Sequence, residues 1–145
     1  MGPTDDIEPR TGLEVLDEDE CWRLLESRTV GRLAVDVGGH PDIFPVNYVV
    51  HDRLVVIRTE AGTKLAAAVL GMSVAFEIDE IDEIGHHGWS VVVTGRASEP
   101  RTVEEEVDVE DLGITPWVDA PKTRWLRIAP LSVTGRRIPP PLPRS

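Results

Sequence analysis

The sequence predicts a mainly β protein, a six-stranded antiparallel barrel with a few short helices. Three observations carry that reading. Six segments rich in β-branched and other apolar residues lie between residues 30 and 138. Tight-turn signals join the early ones into hairpins, and the helical patterns between them are too short to build a layer of their own. Strands linked this way curl into an antiparallel barrel with helices at its ends, and not into a parallel sheet.

The first element is a helix, from about Asp17 to Ser27. Asp17 is placed to cap its N-terminus, Glu20 follows at capping-box spacing, and Cys21, Leu24 and Leu25 form the apolar stripe. Strand one is Val30 to Val37, ending at Gly38-Gly39; strand two is Asp42 to Val50; the Asp52-Arg53 turn leads into strand three, Leu54 to Arg58. An alanine-rich helix is expected from Thr63 to Leu70, closed by Gly71. Strand four runs from Met72 to Ile81 with Val74, Phe76 and Ile78 on one face; after an acidic loop, strand five covers Trp89 to Ala97. The glutamate-dense stretch from Thr102 to Leu112 reads as a surface helix, followed by a loop around Pro116, Trp117 and Pro121. Strand six, Thr123 to Ile138, is expected to break near Pro130. Residues 1–12 read as a disordered N-terminal tail, 13–138 as one domain, and 139–145 as a Pro-rich C-terminal tail.

Composition removes several classes of function. With 26 acidic and 15 basic residues the chain carries a formal charge of −11, which repels phosphate backbones and anionic lipid. Nucleic acid and membrane surfaces are therefore not expected partners. The single cysteine, Cys21, forms no internal disulfide and no thiolate zinc site. No stretch resembles a signal peptide or approaches the roughly 20 apolar residues of a membrane span, so a cytoplasmic location is expected.

Four segments carry possible chemistry. Arg58-Thr59-Glu60-Ala61-Gly62-Thr63-Lys64 runs from a strand end through a glycine turn into a helix start. Backbone N–H groups there, the two cations Arg58 and Lys64, and the hydroxyls of Thr59 and Thr63 would together hold a phosphate monoester. Arg58 and Lys64 also read, on chemistry alone, as surface charges on an ordinary turn. Pro45-Val46-Asn47-Tyr48 marks an edge or bulge that would present polar groups to a flat heterocycle, unless Tyr48 faces the core. Gly88-Trp89-Ser90 places an aromatic at a strand mouth, where it would stack on a ligand or close the barrel. Trp125, also within a strand, is a further pocket or interface aromatic, whereas Trp22 and Trp117 read as core or loop anchors. His86-His87 lacks a third ligand at useful spacing, and Cys21 lies on an apolar stripe, so neither metal nor thiol chemistry is expected.

Taken in order, the helix, Gly31-Arg32-Leu33-Ala34, Pro45-Val46-Asn47-Tyr48, Arg58-Thr59 with Gly62-Thr63-Lys64-Leu65, and Gly88-Trp89-Ser90 through Arg96-Ala97 resemble the pyridoxamine 5′-phosphate oxidase-like family. The resemblance covers about Leu13 to Ile138 and is nearest to the shorter branch that contains nitroimidazole reductases. It implies a flavin-binding split β-barrel and a homodimer with the cofactor at the subunit interface. FMN is the expected cofactor, with the deazaflavin coenzyme F-420, FAD or haem as alternatives. By the resemblance, Arg58, Thr59, Thr63 and Lys64 would grip the phosphate. Pro45, Val46, Asn47 and Tyr48 would lie along the isoalloxazine, with Trp89, Ser90 and Trp125 approaching it from a neighbouring strand or the partner. The activity implied is oxidoreduction of a small planar molecule. The arginine- and tryptophan-bearing end of true pyridoxamine phosphate oxidases is not recognisable in Arg136-Arg137-Ile138 and the prolines after it, so vitamin B6 oxidation is not expected. A flavin- or haem-binding protein without catalysis is the alternative.

Overall fold

The computed structural model describes residues 6–7, 12–60, 69–99 and 123–141. In chain order the elements are β1 (Asp6–Ile7), β2 (Glu14–Leu16), α1 (Glu18–Glu26), β3 (Val30–Val37), β4 (His40–His51), β5 (Leu54–Glu60), β6 (Ser73–Asp82), β7 (His87–Ser98) and β8 (Thr123–Ile138). The six predicted strands are β3 to β8. The expected surface helix at 102–112, the loop around Trp117 and most of the 63–70 helix lie outside the described residues. Inside the stretch expected to be an N-terminal tail, Asp6 and Ile7 pair antiparallel with Val15 and Glu14.

Closure follows from β8, which is 16 residues long. Its first part pairs antiparallel with β5 and its later part with β7, with Arg127 and Ile128 serving both. The remaining neighbours run β5-β4-β3-β6-β7, so β3 to β8 form one closed antiparallel ring. Pro130 and Leu131 sit where β8 leaves β5. Gly95 pairs with Pro130 while the next residue, Thr94, pairs with Ser132, so Leu131 is the extra residue of a bulge. The predicted break at Pro130 is thus a change of partner within a continuous strand. Proline's missing N–H is tolerated there because the β5 ladder ends at Ile128.

Hairpin turns are legible in backbone angles. Gly38 and Gly39 have φ of 60° and 81°, and Asp52 and Arg53 have 50° and 55°, the positive values that a two-residue turn between twisted strands demands. Strand alternation points Leu33, Tyr48, Ile57, Phe76, Ile78, Val91, Val93, Leu126 and Ile128 into the ring, all buried. Helix α1 adds Cys21, Trp22, Leu24 and Leu25 to the same core. Asp17 caps α1 by accepting a hydrogen bond from the Glu20 N–H at 2.8 Å. The Glu20 carboxylate is taken up by Arg23 and by Arg137 of β8, which ties the helix to the barrel.

Candidate functional site

Directly opposite residues of an antiparallel ladder project on the same face. Asn47 of β4 is opposite Arg58 of β5, and Arg58 is opposite Trp125 of β8. Their neighbours Tyr48, Ile57 and Leu126 point inward and are buried, so Asn47, Arg58 and Trp125 form a transverse row on the outside of the barrel, each half-buried. The Arg58 guanidinium carbon lies 5.8 Å from the centroid of the Trp125 ring, a cation–π placement that fixes a long flexible side chain over a flat surface. Thr59 is opposite Arg124 in the backbone register. Thr63 and Lys64 lie outside the described residues.

Of the other predicted residues, Pro45 is exposed on the same outer face, opposite Arg32 of β3. The β5 ladder with β4 begins only at Asn47, so Pro45 occupies a local edge within an otherwise central strand. Val46 and Tyr48 point inward. The Tyr48 hydroxyl donates to the Leu25 carbonyl at 2.6 Å, and its ring meets Phe76 edge-on with centroids 4.7 Å apart. Burial holds its phenol above the usual range, so it is a neutral core group whose backbone alone reaches the outer face.

Trp89 points inward and packs half-buried against the core. The Arg28 guanidinium covers its ring at 5.5 Å, and Arg28 also pairs with Glu80. Ser90 points outward, opposite Asp79 on one side and Arg136 on the other. Arg136 is near the end of β8 and Trp125 near its start. One barrel therefore sets Asn47, Arg58 and Trp125 in one row with Pro45 beside it, while Trp89 lies under Arg28 and Ser90 opposite Asp79, outside that row.

A second feature was not legible in the chain. The ladder between β3 and β6 contains only three pairs, Arg32 with Glu77, Leu33 with Phe76 and Ala34 with Ala75. Where it ends, the two strands part and leave an open cleft of about 310 Å³, lined in part by Arg28, Thr29, Arg32, Pro45 and Asp79. It lies next to the Asn47 row. Arg32 Nη1 stands 3.3 Å from both Glu77 Oε1 and Asp79 Oδ2. Partial burial, then the hydrogen bond and charge of Asp79, push the Glu77 carboxyl up to about 7 despite Arg32. A short ladder is a matter of register between strands about 40 residues apart, which no local pattern encodes.

The remaining candidates are quiet. His87 Nε2 lies 3.1 Å from Asp82 Oδ2, and no group of three metal-ligating side chains occurs among the described residues. Cys21 is buried against Gly135, and burial together with neighbouring acids pushes its thiol up to about 11, far from a reactive thiolate. No helix among the described residues is long and apolar enough to cross a membrane.

Comparison with known proteins places this geometry. The family model described as pyridoxamine 5′-phosphate oxidase matches residues 17–137. An uncharacterized protein of Mycobacterium tuberculosis is 39% identical over 137 residues, covering 90% of both chains. Among solved structures, the FAD binding protein from Mycobacterium smegmatis is 40% identical with a TM-score of 0.77, covering 85% of this chain and 96% of its own. A FAD-binding protein from Mesorhizobium loti is 26% identical with a TM-score of 0.68, covering 88% and 99% respectively. The match spans the ring, α1 and the strand that carries Arg58, and the chain belongs to the pyridoxamine 5′-phosphate oxidase-like family of split barrels.

Proposed function

We propose that the protein is a flavin-dependent oxidoreductase acting on a small planar substrate, with its flavin phosphate anchored at the end of β5. The observation that carries this reading is the outer row Asn47–Arg58–Trp125. It sets a guanidinium held on an aromatic ring beside an amide on a neighbouring strand. Such a donor set suits a phosphorylated flat heterocycle: the guanidinium for the phosphate, the amide and Pro45 for the ring edge. By the resemblance, Thr59, Thr63 and Lys64 would complete the phosphate grip. FMN and FAD share the ribityl phosphate that this grip reads, so both fit it. That the 40% identical Mycobacterium smegmatis relative is a FAD binding protein supports a flavin and makes FAD a full contender beside FMN. Coenzyme F-420 and haem are the remaining alternatives.

A bound flavin supplies the two-electron chemistry itself. The chain's part is to bind the phosphate, hold the ring along the backbone of Pro45 to Tyr48 and keep water from it. A homodimer is part of the proposal, because Trp89 and Ser90 lie outside the Asn47–Arg58–Trp125 row and those of a second copy would complete it. Cytoplasmic residence is part of the same proposal.

Absorbance of the purified protein, followed by separate titrations with FMN, FAD and coenzyme F-420, tests the reading. Submicromolar binding of one of the three is expected. Arg58→Ala combined with Lys64→Ala removes two charge-assisted contacts, each contributing about 1.5–3 kcal/mol, and should weaken that binding by two orders of magnitude or more. Unchanged affinity in the double variant would overturn the site, and a Soret band on adding haem would replace the flavin.

A further inference from the structure

We propose that the cleft between β3 and β6 is a binding site for a small planar carboxylate, gripped between Arg28 and Arg32 with its ring against Pro45. That this ligand is the substrate side of a flavin site rests on the reading above; the anion site itself does not.

The cleft is rich in donors. Arg28 Nη2 pairs with Glu80, which competes for it, and its Nε is buried without a hydrogen-bond partner, so the 39% exposed side chain offers the cleft its remaining Nη N–H groups. Arg32 uses one nitrogen, Nη1, for two long contacts at 3.3 Å and is 58% exposed, so its other N–H groups face solvent. Thr29 adds a hydroxyl and Pro45 an apolar wall. A carboxylate is the acceptor that matches a fork of guanidinium donors, and a flat ring is the shape that lies on a proline. The position also suits the purpose. Pro45 is two residues from Asn47 on one face of β4, about 7 Å along the strand. A molecule in the cleft therefore adjoins whatever lies across the Asn47 row.

Asp79 and Glu77 are the competitors for Arg32, and they give the site a pH signature. The charged groups facing Glu77 are Arg32 from β3 and Asp79 from its own strand; the residue opposite it on β7, Val92, carries no charge, nor does Ser90 opposite Asp79. Glu77 takes up a proton near pH 7, which removes one of the two anions from Arg32. Anion affinity must then rise as pH falls from 8 to 6. An anion held by Arg58 alone would show no such dependence.

The probe is benzoate, titrated into the flavin-free protein and read by tryptophan fluorescence. Trp89 lies under the Arg28 guanidinium and should report occupancy, and Trp89→Phe should silence the change. Saturable quenching is expected, with affinity at least tenfold weaker in Arg32→Gln and in Arg28→Gln, unaltered in Arg58→Ala, and several-fold stronger at pH 6 than at pH 8. Glu77→Gln should hold the affinity at its pH 6 value throughout. No saturable signal, or a signal indifferent to both cleft arginines, overturns the proposal; so does loss of benzoate in Arg58→Ala, which would place the anion in the phosphate grip. The flavin titration is read separately. Benzoate binding without flavin binding sinks the cofactor reading and leaves the anion site, whereas flavin binding without benzoate binding does the reverse.

Discussion

Tyr48 shows how one residue divides between fold and function. Its backbone lies beside the outer row, yet its hydroxyl is committed to the Leu25 carbonyl at the end of α1. That bond is buried, and removing the donor leaves a carbonyl with no water to replace it. Tyr48→Phe should lower stability by about 1–3 kcal/mol in chemical denaturation while leaving flavin affinity within twofold. A large loss of flavin binding with unchanged stability would mean that the phenol serves the ligand. The sequence posed both readings of this residue because period-two alternation places Tyr48 inward only after the phase of β4 is known. Arg58 was legible from chemistry alone, since a cation at a strand end before a glycine turn is visible in the chain. Its pairing with Asn47 is set by the two-residue turn at Asp52-Arg53, whereas its pairing with Trp125 was not legible, because the two residues stand 67 positions apart.

Strands were more legible than sites. The turns at Gly38-Gly39 and Asp52-Arg53 fix β3, β4 and β5 to within a residue or two, because positive φ is a local property that glycine and short polar residues declare. What local chemistry could not declare is which strands become neighbours, and the closure through β8 depends on that. Gly95 stands at the critical point. A Cβ there would lie 2.1 Å from the Ala129 carbonyl oxygen, which belongs to the backbone of β8 just before the bulge. The strands approach so closely because β8 is bending away from β5 to follow β7. Gly95→Ala must push β8 outward, at a cost of about 1–3 kcal/mol by analogy with overpacked cores. Thermal unfolding of this variant should show the loss. Thr94→Ala, one residue along β7 on the half-exposed outer face, should stay within about 1 kcal/mol of the parent. Equal stability of the Gly95 variant would mean that the bulge relaxes freely and is not what shapes the barrel.

At the scale of the molecule, the homodimer proposed above rests on Trp89 and Ser90 lying outside the Asn47–Arg58–Trp125 row. Asn47, Arg58 and Trp125 share one stretch of outer surface, while Ser90 lies by the far end of β8 and Trp89 by the mouth next to Arg28. A second copy of the chain would bring the two sets together, and the surface beside the row is suited to meeting one. Ile43 lies on the outer face of β4, two residues from Pro45, and is 64% exposed. In the proposed dimer, burying Ile43 against the partner removes apolar area from water at about 25 cal/mol per Å². Ile43→Glu should therefore leave thermal stability of the barrel nearly unchanged and shift sedimentation from dimer to monomer. Flavin affinity should fall with it, by at least tenfold, because in the proposed dimer the partner supplies the second half of the site. The two readouts must move together: a monomer that still binds flavin at full strength would show that each barrel holds its cofactor alone, and a dimer that persists would move the interface away from β4.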